Sequence, residues 1–141
     1  MTRHLRFLAL GTLTTLLLLS ACTSTTAPVV VGPERPVLAF VGEEEGGNAR
    51  FSLTNETQVP WTYHGYDTSP IYSVEIRTEE GWEPRMLGWC GTGLAEQVLA
   101  PGATLSFLVA LEPDTESRVI VSLGAEDGTQ AAILSPVVGG R

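Results

Sequence analysis

The chain has 141 residues, 43% of them hydrophobic and 17% charged, with 16 acidic side chains against 8 basic ones and a net charge of −8. That length and apolar content suffice for one domain with a core of its own. The acidic balance excludes electrostatic capture of nucleic acid or of anionic lipid headgroups. Every basic side chain is an arginine, a bias to which we attach no function.

At the start of the chain, Arg3, His4 and Arg6 precede an apolar run from Phe7 to Leu19 that only Gly11 and three threonines interrupt. A basic opening, a short apolar stretch and small residues behind it form the pattern of a secretory signal over residues 1–21. As a helix the run is about 20 Å long, well short of the roughly 30 Å hydrocarbon core of a bilayer. A permanent transmembrane helix is therefore not expected.

The end of this run, Leu19-Ser20-Ala21-Cys22, resembles the lipobox of bacterial lipoproteins. The resemblance implies cleavage between Ala21 and Cys22, a diacylglyceryl group joined to the Cys22 thiol through a thioether, and an N-acyl chain on the freed amine. The chemistry suits these residues. Ser20 and Ala21 are small enough for an extended chain to enter a protease, and a thiol is a soft nucleophile near neutral pH. Two or three acyl chains, at about 0.8 kcal/mol per buried CH₂, hold a protein on a bilayer where one does so only marginally. The competing reading is a plain secreted protein with a cysteine at that position. In lipoproteins of this kind an Asp after the cysteine favours retention in the inner membrane, and here the residue is Thr23. That implies an outer membrane site facing the periplasm if the envelope has two membranes, and otherwise the outer face of the cell membrane.

Arg3 and Arg6 are the only charges among residues 1–21 apart from the N-terminus, so the chain from Cys22 onward carries 6 arginines against 16 acids, a charge of −10. Lipid, rather than charge, must then do the anchoring. With Cys22 modified, Cys90 stands alone and no intramolecular disulfide can form. Stability must come from the core. Residues 22–36 are rich in Thr, Pro and small side chains and read as an extended tether. An edge strand through Val29-Val30-Val31 is the alternative there.

Beyond the tether, residues 37–141 show apolar side chains at period two in short bursts. Phe51 and Leu53 alternate with Arg50, Ser52 and Thr54, and Tyr72, Val74 and Ile76 alternate with Ser73, Glu75 and Arg77. Leu105, Phe107, Val109 and Leu111 form a third burst, Val119, Val121 and Leu123 a fourth, and Thr129 to Val138 the last strand. Strands with one buried and one wetter face produce this pattern. Glu45-Gly46-Gly47-Asn48, Glu80-Gly81, Pro101-Gly102, Glu112-Pro113-Asp114 and Asp127-Gly128 punctuate it as turns. The spacing predicts an all-β fold, an antiparallel β-sandwich of immunoglobulin-like architecture with about seven to eight strands.

Candidate chemistry is sparse. Trp89-Cys90-Gly91 resembles the redox site of thioredoxin-like proteins, but that chemistry needs a second cysteine two positions on, where Thr92 and Gly93 stand. A buried thiol packed beside Trp89 is the simpler reading. Gly91-Thr92-Gly93 lacks the lysine and following helix of a phosphate loop and reads as a turn. His64 has no second histidine after processing, which leaves a metal site short of ligands, and it reads as a surface or strand-end residue. Glu43-Glu44-Glu45 lacks the alternating oxygen ligands of a calcium loop and reads as a solvated turn. No catalytic residue, metal site or cofactor is expected beyond the covalent lipid on Cys22. Asn55-Glu56-Thr57 matches a glycosylation acceptor that bacterial export makes incidental.

The aromatic set Trp61, Tyr63, Tyr66, Trp82 and Trp89 carries the strongest functional candidate. Trp61 and Tyr63 are two apart and share one face of a strand, which supports either a stacking platform for sugars or peptides or simple core filling. Leu53-Thr54-Asn55, Tyr63-His64-Gly65-Tyr66, Pro70-Ile71-Tyr72, Gly81-Trp82, Gly88 to Gly93, Leu99-Ala100-Pro101-Gly102 and Arg118-Val119 together resemble a pattern in small bacterial envelope proteins. This resemblance implies a β-sandwich module and no activity. The Thr-Asn and Leu-x-Pro-Gly turns also resemble those of immunoglobulin-like proteinase-inhibitor domains, in which an exposed loop such as Gly81 to Arg85 would block the protease.

The expectation is a lipid-anchored, non-enzymatic β-sandwich of the cell envelope that contacts a protein or glycan. Its rivals are a thiol-dependent redox accessory or small enzyme using Cys90, and a proteinase inhibitor.

Overall fold

Period-two alternation becomes strand wherever an inner face exists to bury, and ten antiparallel strands result among the described residues. The computed structural model describes residues 34–44, 46–85 and 92–139, which lie within one compact unit, Val31–Arg141. The strands are β1 Val37–Glu44, β2 Asn48–Thr54, β3 Trp61–Tyr66, β4 Ser69–Pro70, β5 Tyr72–Thr78, β6 Gly81–Arg85, β7 Ala95–Leu99, β8 Thr104–Ala110, β9 Ser117–Ala125 and β10 Gln130–Leu134. No helix occurs among the described residues. The segments read as the signal and most of the tether, including Cys22 and Val29-Val30-Val31, lie outside the described residues, as does the stretch 86–91 with Trp89 and Cys90.

One sheet runs β1-β2-β8 and the other is built on β3, β9 and β5, so the fold is an antiparallel β-sandwich. In the larger sheet Gly124 pairs with both Thr62 and Gln130, and Val121 with both Tyr72 and Ile133. A strand residue has only two flanks, so β10 lies along one side of β9 while β3 and β5 follow one another along the other. β7 lies beside β3, and β6 beside β5.

The sheets meet through alternate residues. Phe51, Leu53, Val109, Val119, Val121 and Leu123 are almost fully buried, while their neighbours Ser52, Leu108 and Ser122 face outward. Phe40, Phe51 and Phe107 stand directly opposite one another on β1, β2 and β8. Their rings form a row, Phe40 edge-on to Phe51 at 5.7 Å and Phe51 stacked on Phe107 at 6.3 Å, and Tyr72 of β5 continues it at 5.7 Å from Phe107. Such contacts add about 0.5–1.5 kcal/mol each to area burial.

Two places depend on glycine. Gly46 and Gly47 take φ of 80° and 79° to close the tight β1–β2 hairpin. At Gly65 a Cβ would collide with the Ser69 carbonyl oxygen and come within 2.9 Å of Pro70 Cα, so the β3–β4 hairpin packs against bare backbone.

Ten strands form among the described residues, where about seven to eight are expected. The additions are β4, only two residues long, and the edge strands β6 and β7, which pair on one side only. The segment Gly81 to Arg85 is thus not the exposed loop that the inhibitor reading requires. It pairs with β5 from Thr78↔Gly81 to Val74↔Arg85 across a two-residue turn. Pro84 is tolerated because an edge strand needs no hydrogen bond on its outer side. The last strand also stops at Leu134; Ser135 still bonds to Val119 of β9, and Val138 pairs with Ser117 as an isolated bridge.

Candidate functional site

The two ends of the sandwich are built differently. At one end Val37, Thr54 and Thr104 lie in register, and Asn55 follows immediately. Its side chain is fully buried and its amide nitrogen donates to the carbonyls of Val59 at 2.8 Å and Leu99 at 2.9 Å. Its Oδ1 accepts from the Thr57 backbone N–H at 3.0 Å and the Thr57 hydroxyl at 2.7 Å. Trp61 Nε1 donates to the same Thr57 hydroxyl at 3.2 Å, and the Gly102 N–H donates to the Asn55 carbonyl at 2.7 Å. One asparagine therefore ties the β2–β3 loop, the end of β7 and the turn before β8 into a seal between the sheets. The glycosylation-like triplet is a structural knot, with its asparagine nitrogen enclosed.

At the other end Glu44, Asn48 and Ala110 lie in register, six residues along β2 from Thr54, or roughly 20 Å away at strand rise. Here an open cleft of about 610 Å³ lies between the end of the smaller sheet, the β8–β9 connection and the C-terminal segment. This size falls within the roughly 300–1,000 Å³ range of ligand-holding clefts. Phe40 and Ala49 from the smaller sheet and Leu111, Val137 and Val138 from the crossing segments give it apolar walls, while Gly47, Pro113 and Gly139 keep its sides open. Glu43, Glu44, Glu112 and Asp114 supply an acidic rim. Glu44 is engaged by Arg50 at 2.7 Å and Glu112 by Arg85 at 2.8 Å. Among the described residues no cation lies within ion-pair distance of Glu43 or Asp114.

The aromatic candidates do not assemble into one surface. Trp61 and Tyr63 share a face of β3, but it is the inner one, and both are over 95% buried. They are core residues, which corrects their candidacy as a binding strip: His64 and Thr62, the polar alternates, take the outer face. The Tyr63 hydroxyl donates to the Asp67 carbonyl at 2.9 Å. Burial, with the Asp67 charge as a smaller cause, raises the Tyr63 pKa above 10.0.

Tyr66 is half-buried at the end of β3, and its ring lies beside Gly93. Trp82 is half-buried on β6 with the Arg118 guanidinium 4.4 Å and that of Arg77 5.4 Å from its ring centroid. Arg118 Nε also donates to Glu75 at 2.6 Å, so this cluster ties β6, β5 and β9 together across the outer face. Trp89 lies outside the described residues.

His64 is exposed on β3 opposite Glu96 of β7. No group of three or more His, Cys, Asp or Glu side chains among the described residues is placed to hold a metal ion. The sequence reading missed the cleft because its lining comes from three segments, 40–49, 111–115 and 137–139. The acid-rich turns on either side of Gly46-Gly47 and Pro113 were the available signal. No protein-family model matches this chain, and no curated protein matches it.

Proposed function

We propose that this chain is a lipid-anchored lipoprotein of the cell envelope whose β-sandwich serves as a non-enzymatic interaction module for a protein or glycan. Cys22 carries the diacylglyceryl and N-acyl groups after cleavage from Ala21, and residues 23–36 tether the sandwich to the bilayer. The anchor is in the outer membrane facing the periplasm in a two-membrane envelope, and otherwise on the outer face of the cell membrane.

One observation carries the reading: the chain enters the sandwich at Val37, at the end that Asn55 seals, while the open cleft lies at the opposite end. A tether joined at residue 36 attaches at the closed end of the domain, the end away from the cleft. The mature charge of −10 keeps the body off anionic headgroups and adds to that separation.

Metabolic labelling with a fatty acid, followed by membrane fractionation, tests the anchor. Wild type is expected to carry label and sediment with membranes, and Cys22→Ala to remain unlabelled and unprocessed. A Cys22→Ala variant that is still lipid-labelled and membrane-bound would end this reading. Crosslinking of the lipidated protein in solubilised envelope then tests for the partner.

A further inference from the structure

We infer that the end cleft binds a basic peptide segment of a partner protein, with a Lys or Arg side chain seated in it. The inference rests on the interaction-module reading and names the chemistry of the partner. At the floor, Phe40, Leu111 and Val138 offer apolar surface to the cleft. Val137 beside them is half exposed, leaving an aliphatic side chain in water at the mouth.

The rim is acidic, and among the described residues its charge is only partly compensated. Arg50 and Arg85 answer Glu44 and Glu112, which leaves Glu43 and Asp114 facing the opening. Low-dielectric walls focus the field of such carboxylates into the cleft. A Lys or Arg matches both features at once, because its methylene stem covers apolar surface while its charged head remains at the wet rim. An anionic ligand meets repulsion here.

A neutral glycan fits less well. Sugars are gripped by open aromatic faces, yet Trp61 and Tyr63 are core residues and Trp82 has two guanidinium groups close to its ring. Among the described residues the cleft contributes one aromatic side chain, Phe40, whose ring packs edge-on against Phe51.

The test uses full-length lipidated protein in neutral phosphatidylcholine nanodiscs and fluorescence anisotropy. Its probes are three labelled hexapeptides, alternating Leu-Arg, Leu-Gln and Leu-Glu. The Leu-Arg peptide is expected to bind, with affinity falling as salt rises, and the other two to bind much more weakly. Glu43→Gln combined with Asp114→Asn is expected to weaken binding about tenfold, the effect of two rim charges. Val137→Ser is expected to weaken it by about threefold through lost apolar contact.

Glu79→Gln with Glu80→Gln removes the same charge from the exposed β5–β6 turn and is expected to change binding less than about twofold. Equal weakening by the two double variants means general attraction to an acidic protein and overturns the inference. Equal binding of the Leu-Gln peptide, or displacement by a neutral oligosaccharide, overturns it as well. If Glu43→Lys with Asp114→Lys still captures the envelope partner while Cys22→Ala loses lipid, the cleft assignment fails and the lipoprotein reading stands.

Discussion

The sealed and open ends of this sandwich are made from the same two sheets, and they differ in what happens to polar groups. Around Asn55 every polar atom of the buried amide is matched, and the loops are drawn in until the asparagine is wholly enclosed. Around Glu43 and Asp114 the polar groups are charges left in water, at the rim of a cleft with partly apolar walls. A buried polar group lowers stability unless it is hydrogen-bonded, so the closed end demands a unique arrangement. An exposed carboxylate demands nothing of its neighbours. Order is therefore concentrated where the chain enters, and the far end is left free for contact.

The largest expected effect breaks the closed end. Asn55→Ala removes the amide's bonds to the Val59 and Leu99 carbonyls and leaves the Thr57 N–H without its acceptor, and should lower stability by about 3 kcal/mol. Urea unfolding of the detergent-solubilised protein measures it. A loss under about 0.5 kcal/mol would mean that the seal does not depend on this residue.

Trp61→Phe retains an aromatic ring in the core but removes the hydrogen bond to Thr57 and part of the buried ring volume, so about 2 kcal/mol is expected in the same measurement. The core between the ends adds a pH signature. Burial raises the pKa of Tyr63, and likewise that of Tyr72. Their neutral forms are thus favoured by folding, and the contribution is complete below the ordinary tyrosine value near 10. It is lost as pH rises through the elevated values. Stability should decline above pH 10, roughly the ordinary tyrosine value, and Tyr63→Phe should flatten that decline.

At the open end the effects should be small. Glu44→Gln removes a solvent-exposed partner of Arg50 and should alter stability by about 0.5 kcal/mol or less, with the difference vanishing in high salt. Glu43→Gln with Asp114→Asn should leave the urea midpoint unchanged while altering peptide binding. Were that pair as destabilising as Asn55→Ala, the contrast between the ends would be false.

Much of the fold was legible in the sequence because central strands have two distinguishable faces. β2 and β9 alternate from buried to wet along nearly their whole lengths, and the bursts around Phe51 and Val121 read accordingly. The edge strands did not. β6 places Trp82 and Pro84 outward and ends in exposed residues, and on β7 Val98 is exposed while Leu99 is buried. Strands at the margin have little inner face to fill, so their periodicity is faint.

The site was less legible still. That Trp61 and Tyr63 share a face follows from strand geometry alone. Which way that face points depended on the sheet packed against it. Asn55 read as an incidental modification triplet, since one of its amide's two acceptors is the Leu99 carbonyl, 44 residues away.

Local chemistry was enough to set the strand periodicity, the glycine turns and the acidic surface, because each depends on residues a few positions apart. The lipobox resemblance at Cys22 is of the same local kind. Only the tertiary structure decided that Asn55 closes one end, that Trp61 and Tyr63 are core, and that Glu43 and Asp114 face one opening. Those outcomes join segments far apart in the chain, and their geometry exists only once the two sheets have packed.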